Sequence, residues 1–350
     1  MQIPGFASLP LWSNLLIFAA AAVAVWLAGT RLAEYVDVGG ARKGADQALL
    51  GMVLLGIGTS LPEIATTISG ALMNNARLVV GNLFGGVALQ IALLGLVDVI
   101  AVRGALTYFT PQPVLLFQGV ALLLLLSIAL TGAVLGEPIA WLGMGLTPVL
   151  LATGYLMTLW AVRNREYLPQ WRATNAPPDD SPVVMSSSDA PSQLSMTKLY
   201  VYGSIAATVI LAAGWLVVLT GDALATQTGL GASFIGVTLV AASTSLPELS
   251  TTLAAVRRGR HEMAVANILG TNCLEVALLL VADLSYRPGP ILAETDQSAL
   301  VAVAIGLVVT CMYLLGLLER RDQTFGRIGW DSLAVLIAYG LGLIALYHVR

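Results

Sequence analysis

Charge is scarce in this sequence. Lys, Arg, Asp and Glu make up 11% of its 350 residues while 57% are apolar, against roughly a quarter charged in soluble domains. Such a chain belongs in a lipid bilayer. With a net charge of −3 it cannot assemble a dense basic face, which argues against nucleic acid as a partner. Histidine is nearly absent too: His261 and His348 are the only two, and no HExxH occurs. An imidazole-built transition-metal site and an intramembrane metalloprotease are therefore not expected. Cys273 and Cys311, the only cysteines, fall in apolar runs and suggest neither a disulfide framework nor a zinc site. No nucleophile–base pair is visible, so neither an enzyme nor a bound cofactor is expected, and no obligate protein partner is evident. No Lys or Arg precedes Arg31. The first apolar run thus lacks the basic flank of a signal peptide and reads as an uncleaved span.

What is there is long hydrophobic runs. A helix needs about 20 apolar residues to cross the hydrocarbon. That rule predicts ten spans, near 13–35, 47–72, 79–102, 112–133, 138–162, 198–220, 230–256, 263–286, 298–318 and 327–348. The runs are continuous rather than alternating, so an all-α polytopic protein is expected and not a barrel. Residues 163–197, rich in Pro, Ser, Asp and Ala, bury little and read as a flexible linker. The linker divides the chain into five-span halves, 1–162 and 198–350. Because five is odd, the second half enters the membrane from the opposite side. With alternating sides, fourteen of the seventeen Lys and Arg share one face, leaving only Arg77, Arg287 and Arg350 opposite. By the positive-inside rule both termini lie outside and the linker is cytoplasmic, in the plasma (inner) membrane.

The halves resemble one another. Shifted by 185 residues, Thr59–Asp98 aligns with Thr244–Asp283 without a gap, with 15 of 40 positions identical. The core of the match is TSLPEIATT (59–67) against TSLPELSTT (244–252). Two inverted repeats are expected, about 51–98 and 236–283, with a site near the midplane at their interface.

Glu63 and Glu248 fall near the middle of the second and seventh spans. An acidic side chain at that depth costs about 2.5–3.5 kcal/mol, and no basic residue is offered there. Its partner is a proton or a bound cation. Pro62 and Pro247 precede the glutamates, so each helix should kink or break a turn back, near Gly58 and Ser243. Freed carbonyls, the hydroxyls of Thr59, Ser60, Thr244 and Ser245, and two carboxylates form an all-oxygen set suited to a hard cation such as Ca²⁺ or Na⁺. On the third span Asn82, Gly86 and Gln90 are spaced by four; on the eighth Asn267, Thr271 and Glu275 repeat the spacing. Gly85 and Gly270 would let these helices approach neighbours closely. Asp98 and Asp283 lie about 12 Å beyond Gln90 and Glu275 at helical rise, where a helix-end role is expected rather than ion ligation.

GTSLPE…GNLFGG (58–86) and STSLPE…ANILGTN (243–272) resemble the two alpha-repeats of the cation/calcium antiporter superfamily, in its sodium/calcium exchanger branch. The resemblance implies that Glu63 and Glu248 coordinate the central ion, joined by backbone oxygens at Thr59 and Thr244. It implies flanking sodium sites from Ser60, Ser245 and the carbonyls of Gly56 and Ala241. The family's eighth-span serine and aspartate correspond to Thr271 and Glu275, and its third-span serine and asparagine to Gly86 and Gln90. The moving elements it implies are the first and sixth spans.

The expected function is antiport of Ca²⁺ against Na⁺ by alternating access, with the transported cations and the bilayer as partners. A proton-coupled exchanger of the same fold is the alternative, since carboxylates in a dry site can titrate near physiological pH. A cation channel is a remote third reading.

Overall fold

The computed structural model describes residues 4–42, 58–102, 104–110, 112–141, 143–165, 194–326 and 328–350. Helix dominates. A short turn of helix at Pro4–Ala7 leads into α1 (Leu11–Arg42), followed by α2 (Leu61–Leu72), α3 (Ala76–Ala101), α4 (Pro113–Leu135) and α5 (Leu146–Arg165). The second half comprises α6 (Met196–Thr228), α7 (Ala232–Thr244), α8 (Leu246–Arg257), α9 (His261–Ser285), α10 (Gln297–Glu319) and α11 (Trp330–Val349). Among the described residues, eight helices are long and apolar enough to cross a bilayer, or nine if the bent pair α7–α8 is counted as one span. The first part of the expected second span lies outside the described residues, as does most of the linker.

The elements recur at a near-constant offset. α1 and α6, α2 and α8, and α3 and α9 start 185 residues apart; α4 and α10, and α5 and α11, start 184 apart. The offset extends to two hairpins that the hydropathy reading missed. Strands β1 (Ala140–Trp141) and β2 (Met144–Gly145) precede α5, and β3 (Thr324–Phe325) and β4 (Ile328–Gly329) precede α11, each an antiparallel pair. The fifth and tenth spans were expected to begin at 138 and 327, but their helices begin at Leu146 and Trp330. Gly143 and Gly326, at φ 81° and 68°, turn the chain where a right-handed helix cannot continue.

Depth follows sequence. Of the best apolar window, 78% is buried in α3 and 67% in α9, against 28% in α1 and 17% in α11. α3 and α9 therefore form the centre, and α1, α4, α5, α6, α10 and α11 leave more of their apolar surface exposed. Their apolar positions join those of α4 and α10 in the main core, around Phe84, Leu94, Leu122, Leu126, Leu279 and Tyr313. α1 and α6 pack on one another more extensively than any other pair and lie across α2, α7 and α8. Gly29 of α1 sits against Pro247, where a Cβ would fall 2.5 Å from the ring Cγ. Gly214 of α6, its equivalent by offset, sits against Ala65 of α2.

Asp98 and Asp283 fasten the ends of the central helices. Asp98 accepts from the backbone N–H of Leu106 (3.0 Å) and of Gly329 in the second hairpin (3.0 Å). Asp283 accepts from Ile291 (2.7 Å) and from Gly145 in the first hairpin (2.8 Å). Each aspartate thus ties its own helix to a hairpin of the other half, satisfying two buried donors. This is the helix-end role expected for them.

Candidate functional site

Both TSLPE segments form helix breaks. Ser60 (φ −84°, ψ 7°) and Ser245 (φ −82°, ψ 1°) interrupt the helical path immediately before α2 and α8. The breaks were expected near Gly58 and Ser243 and occur two residues later. The reason is proline's position: Pro62 and Pro247 fall in the first positions of new helices, where no N–H is required of them. α7 and α8 meet at 45°. Upstream, α7 is widened by a π-helical stretch at Gly236–Val240, a distortion that recurs at functional sites.

The breaks place Glu63 and Glu248 in the first turns of α2 and α8. A helix N-terminus carries partial positive charge, which offsets part of the cost of burying a carboxylate there. Both side chains are 0% exposed. The arrangement is crosswise: the Glu63 carboxylate lies beside Thr244, and that of Glu248 beside Thr59. Among the described residues no cation is paired with either carboxylate. Glu248 and Glu275 are both near enough to Glu63 to feel its charge, so three acids share one buried region. They do not converge on a point. Among the described residues, no group of three or more His, Cys, Asp or Glu side chains is placed to hold a metal ion together.

The remaining expected residues divide into two kinds. Ser60 and Ser245 are buried with hydroxyls that have no partner, and so is Thr271. Other hydroxyls bond back to the helix. Thr244 Oγ1 donates to the Ala241 carbonyl (3.2 Å), which also accepts the Ser245 N–H (3.0 Å). Ala241 is buried. Thr66 donates to the Pro62 carbonyl (3.0 Å) and Thr251 to that of Glu248 (3.1 Å), the ordinary role of hydroxyls in apolar helices. Gly56 lies outside the described residues.

On the central helices, Gln90 Nε2 donates to Glu275 Oε2 at 3.3 Å. These two residues are equivalent by the 185-residue offset, so the contact joins a position to its own counterpart. Asn272 Nδ2 likewise donates to the carbonyl of Val87, its counterpart (3.4 Å). Asn82 donates to Thr66 Oγ1 (3.2 Å), tying α3 to α2. The close approach expected at Gly85 is present: a Cβ there would lie 2.5 Å from Val237 Cα in the π-helical stretch. Gly270 meets nothing within 4 Å of its Cβ position.

Thr67 and Thr252 were not singled out from the sequence. Both are buried with unpartnered hydroxyls, one turn after Glu63 and Glu248. Their i, i+4 spacing from the glutamates inside the duplicated block was the available signal.

A family model described as sodium/calcium exchanger protein matches residues 13–162 and 198–349. The inner membrane protein YrbG of Escherichia coli (strain K12) is 26% identical over 287 residues, covering 81% of this chain and 82% of that protein. The putative antiporter CaxA of Alkalimonas amylolytica is 28% identical over 286 residues, covering 80% and 83%. Among solved structures, the H⁺/Ca²⁺ exchanger CAX superposes with a TM-score of 0.69 at 14% identity, over 96% of this chain and 84% of that one. The sodium-calcium exchanger NCX_Mj gives a TM-score of 0.59 at 22% identity, over 96% and 99%.

Proposed function

The chain belongs to the sodium/calcium exchanger protein family, and from that premise we propose that it is a secondary active antiporter expelling Ca²⁺ in exchange for Na⁺. One observation carries the reading. Glu63 and Glu248 are wholly buried at two matched helix breaks, and among the described residues no cation pairs with either carboxylate. Unpaired carboxylates are too costly at such depth to be kept for packing alone, so their partner is the cargo. Glu63 and Glu248 hold a divalent cation from opposite sides. Thr59 and Thr244 add oxygens, and Ser60, Ser245, Thr271, Glu275, Gln90 and the Ala241 carbonyl serve the counter-ion; Gly56 joins that set from its sequence match alone.

The fold reading is a ten-helix protein of two inverted five-helix repeats, with both termini outside and the linker cytoplasmic in the plasma membrane. The recurrence of five helices and a hairpin at an offset of 184–185 residues supports it. So do the contacts between equivalent residues, Gln90 with Glu275 and Val87 with Asn272, as expected beside a pseudo-two-fold axis. Alternating access then moves α1 and α6, which pack chiefly on each other, across the half-helices that carry the glutamates. The buried region, loaded with one Ca²⁺ or with several monovalent ions, stays closer to neutral than when empty. The empty, charged state is costly to move through hydrocarbon, and that cost couples the two fluxes.

Proton coupling is the second reading. Three buried acids without a base among them require neutralisation when no metal is bound, and protons would serve. Ca²⁺ uptake into everted vesicles separates the two. Uptake driven by a sodium gradient and insensitive to a protonophore supports Na⁺. Uptake driven by a pH gradient without sodium, and abolished by the protonophore, transfers the cycle to protons. Flux of Ca²⁺ with no dependence on either gradient would indicate a channel.

A further inference from the structure

Gly86 and Glu275 face one another where α3 crosses α9. A Cβ built on Gly86 would overlap Glu275 Oε1 and lie 2.7 Å from Cδ and 3.0 Å from Oε2. The carboxylate therefore occupies the volume that any side chain at position 86 would need. The other diagonal of the same crossing is built differently. Thr271, the counterpart of Gly86, has a branched side chain, and Gln90, the counterpart of Glu275, offers its amide to Glu275 Oε2 at 3.3 Å. The absent Cβ at 86 leaves that place to the acid. Glu275 Oε1 is left buried with no protein partner, as are Gln90 Oε1 and Thr271 Oγ1.

We propose that Gly86 and Glu275 are a matched steric pair that sets the site's affinity for divalent cations, with Gly86 as the positioning residue that admits the Glu275 carboxylate to the ion path. The proposal rests on the antiporter reading of the site. A methyl group at 86 would push the carboxylate off Gln90, and protein interiors do not absorb such an overlap freely. Shortening the acid by one methylene returns the room.

The test compares wild type, Gly86→Ala, Glu275→Asp and the double variant as full chains in proteoliposomes. Ca²⁺ uptake is measured against Ca²⁺ concentration under imposed sodium and pH gradients, and Ca²⁺ binding to each purified protein by calorimetry. Gly86→Ala is expected to raise KM and Kd for Ca²⁺ about tenfold with a smaller change in kcat, the signature of lost binding rather than lost turnover. In the double variant the loss should shrink to about threefold or less relative to Glu275→Asp alone, a coupling that neighbours in contact show and distant residues do not. Should Gly86→Ala fail to fold, recovery of a folded, Ca²⁺-binding protein in the double variant carries the same conclusion. The proposal is overturned if Gly86→Ala binds Ca²⁺ as wild type does, if the two losses simply multiply, or if the double variant misfolds as badly as Gly86→Ala. Wild-type protein without Ca²⁺ counterflow under either gradient overturns the antiporter reading instead. The binding data then still decide whether the pair is coupled.

Discussion

Two pairs of equivalent positions on the same two helices have met different fates. Asp98 and Asp283 are identical, and each accepts two backbone N–H groups from a loop and from the opposite half's hairpin. Gln90 and Glu275 differ, and they touch each other. The distinction is whether a residue meets its own counterpart. Asp98 and Asp283 have separate surroundings, so one residue type can do the same job twice. Gln90 and Glu275 meet, and two carboxylates there would repel in a buried setting. An acid opposite an amide removes that conflict and leaves a hydrogen bond between the two.

The sharpest break of the comparison is at the matched glutamates. Glu63→Gln and Glu248→Gln each remove one carboxylate without changing shape, and each should cut Ca²⁺ exchange about a hundredfold or more. Thermal unfolding of the purified proteins should remain near wild type. Retained exchange in both variants would remove the pair from the site. Next comes the contact of Gln90 with Glu275. Gln90→Glu makes the two halves alike where they touch, and the like charges should weaken Ca²⁺ uptake about tenfold. An unchanged uptake curve would mean that Gln90 and Glu275 are not in contact in the working protein. The smallest effect on transport is expected at the ends of the central helices. Asp98→Ala and Asp283→Ala each strand two buried N–H groups and should cost about 2 kcal/mol or more of stability. Ca²⁺ affinity should be altered little. Denaturation in detergent should show the two losses equal within about 1 kcal/mol if the jobs are equivalent.

Much of this was legible in advance, and for a simple reason. Spans and the repeat are written in local composition, because a bilayer demands about 20 apolar residues per crossing wherever it is crossed. The acids stood out because hydrocarbon tolerates so few. The hairpins at 140–145 and 324–329 were not legible, since Ala140, Trp141, Ile328 and Gly329 are as apolar as the helices they precede. Hydropathy does not distinguish a strand from a helix start. The breaks were misplaced by two residues because a proline can either strain a helix or begin one. At Gly86 the sequence shows only a residue without a side chain; in the fold, Glu275 lies where its Cβ would be.

The sequence by itself determined a membrane protein of two related halves, each carrying a proline-broken segment with a buried glutamate. Periodicity and composition suffice for that, because they act within a single helix. Only the tertiary structure decided the crosswise neighbours, Glu63 beside Thr244 and Glu248 beside Thr59, and the contact of Gln90 with Glu275. Those meetings join residues about 185 positions apart. They depend on how the helices cross, which is set by the packing of glycine-lined faces and not by any local run of residues.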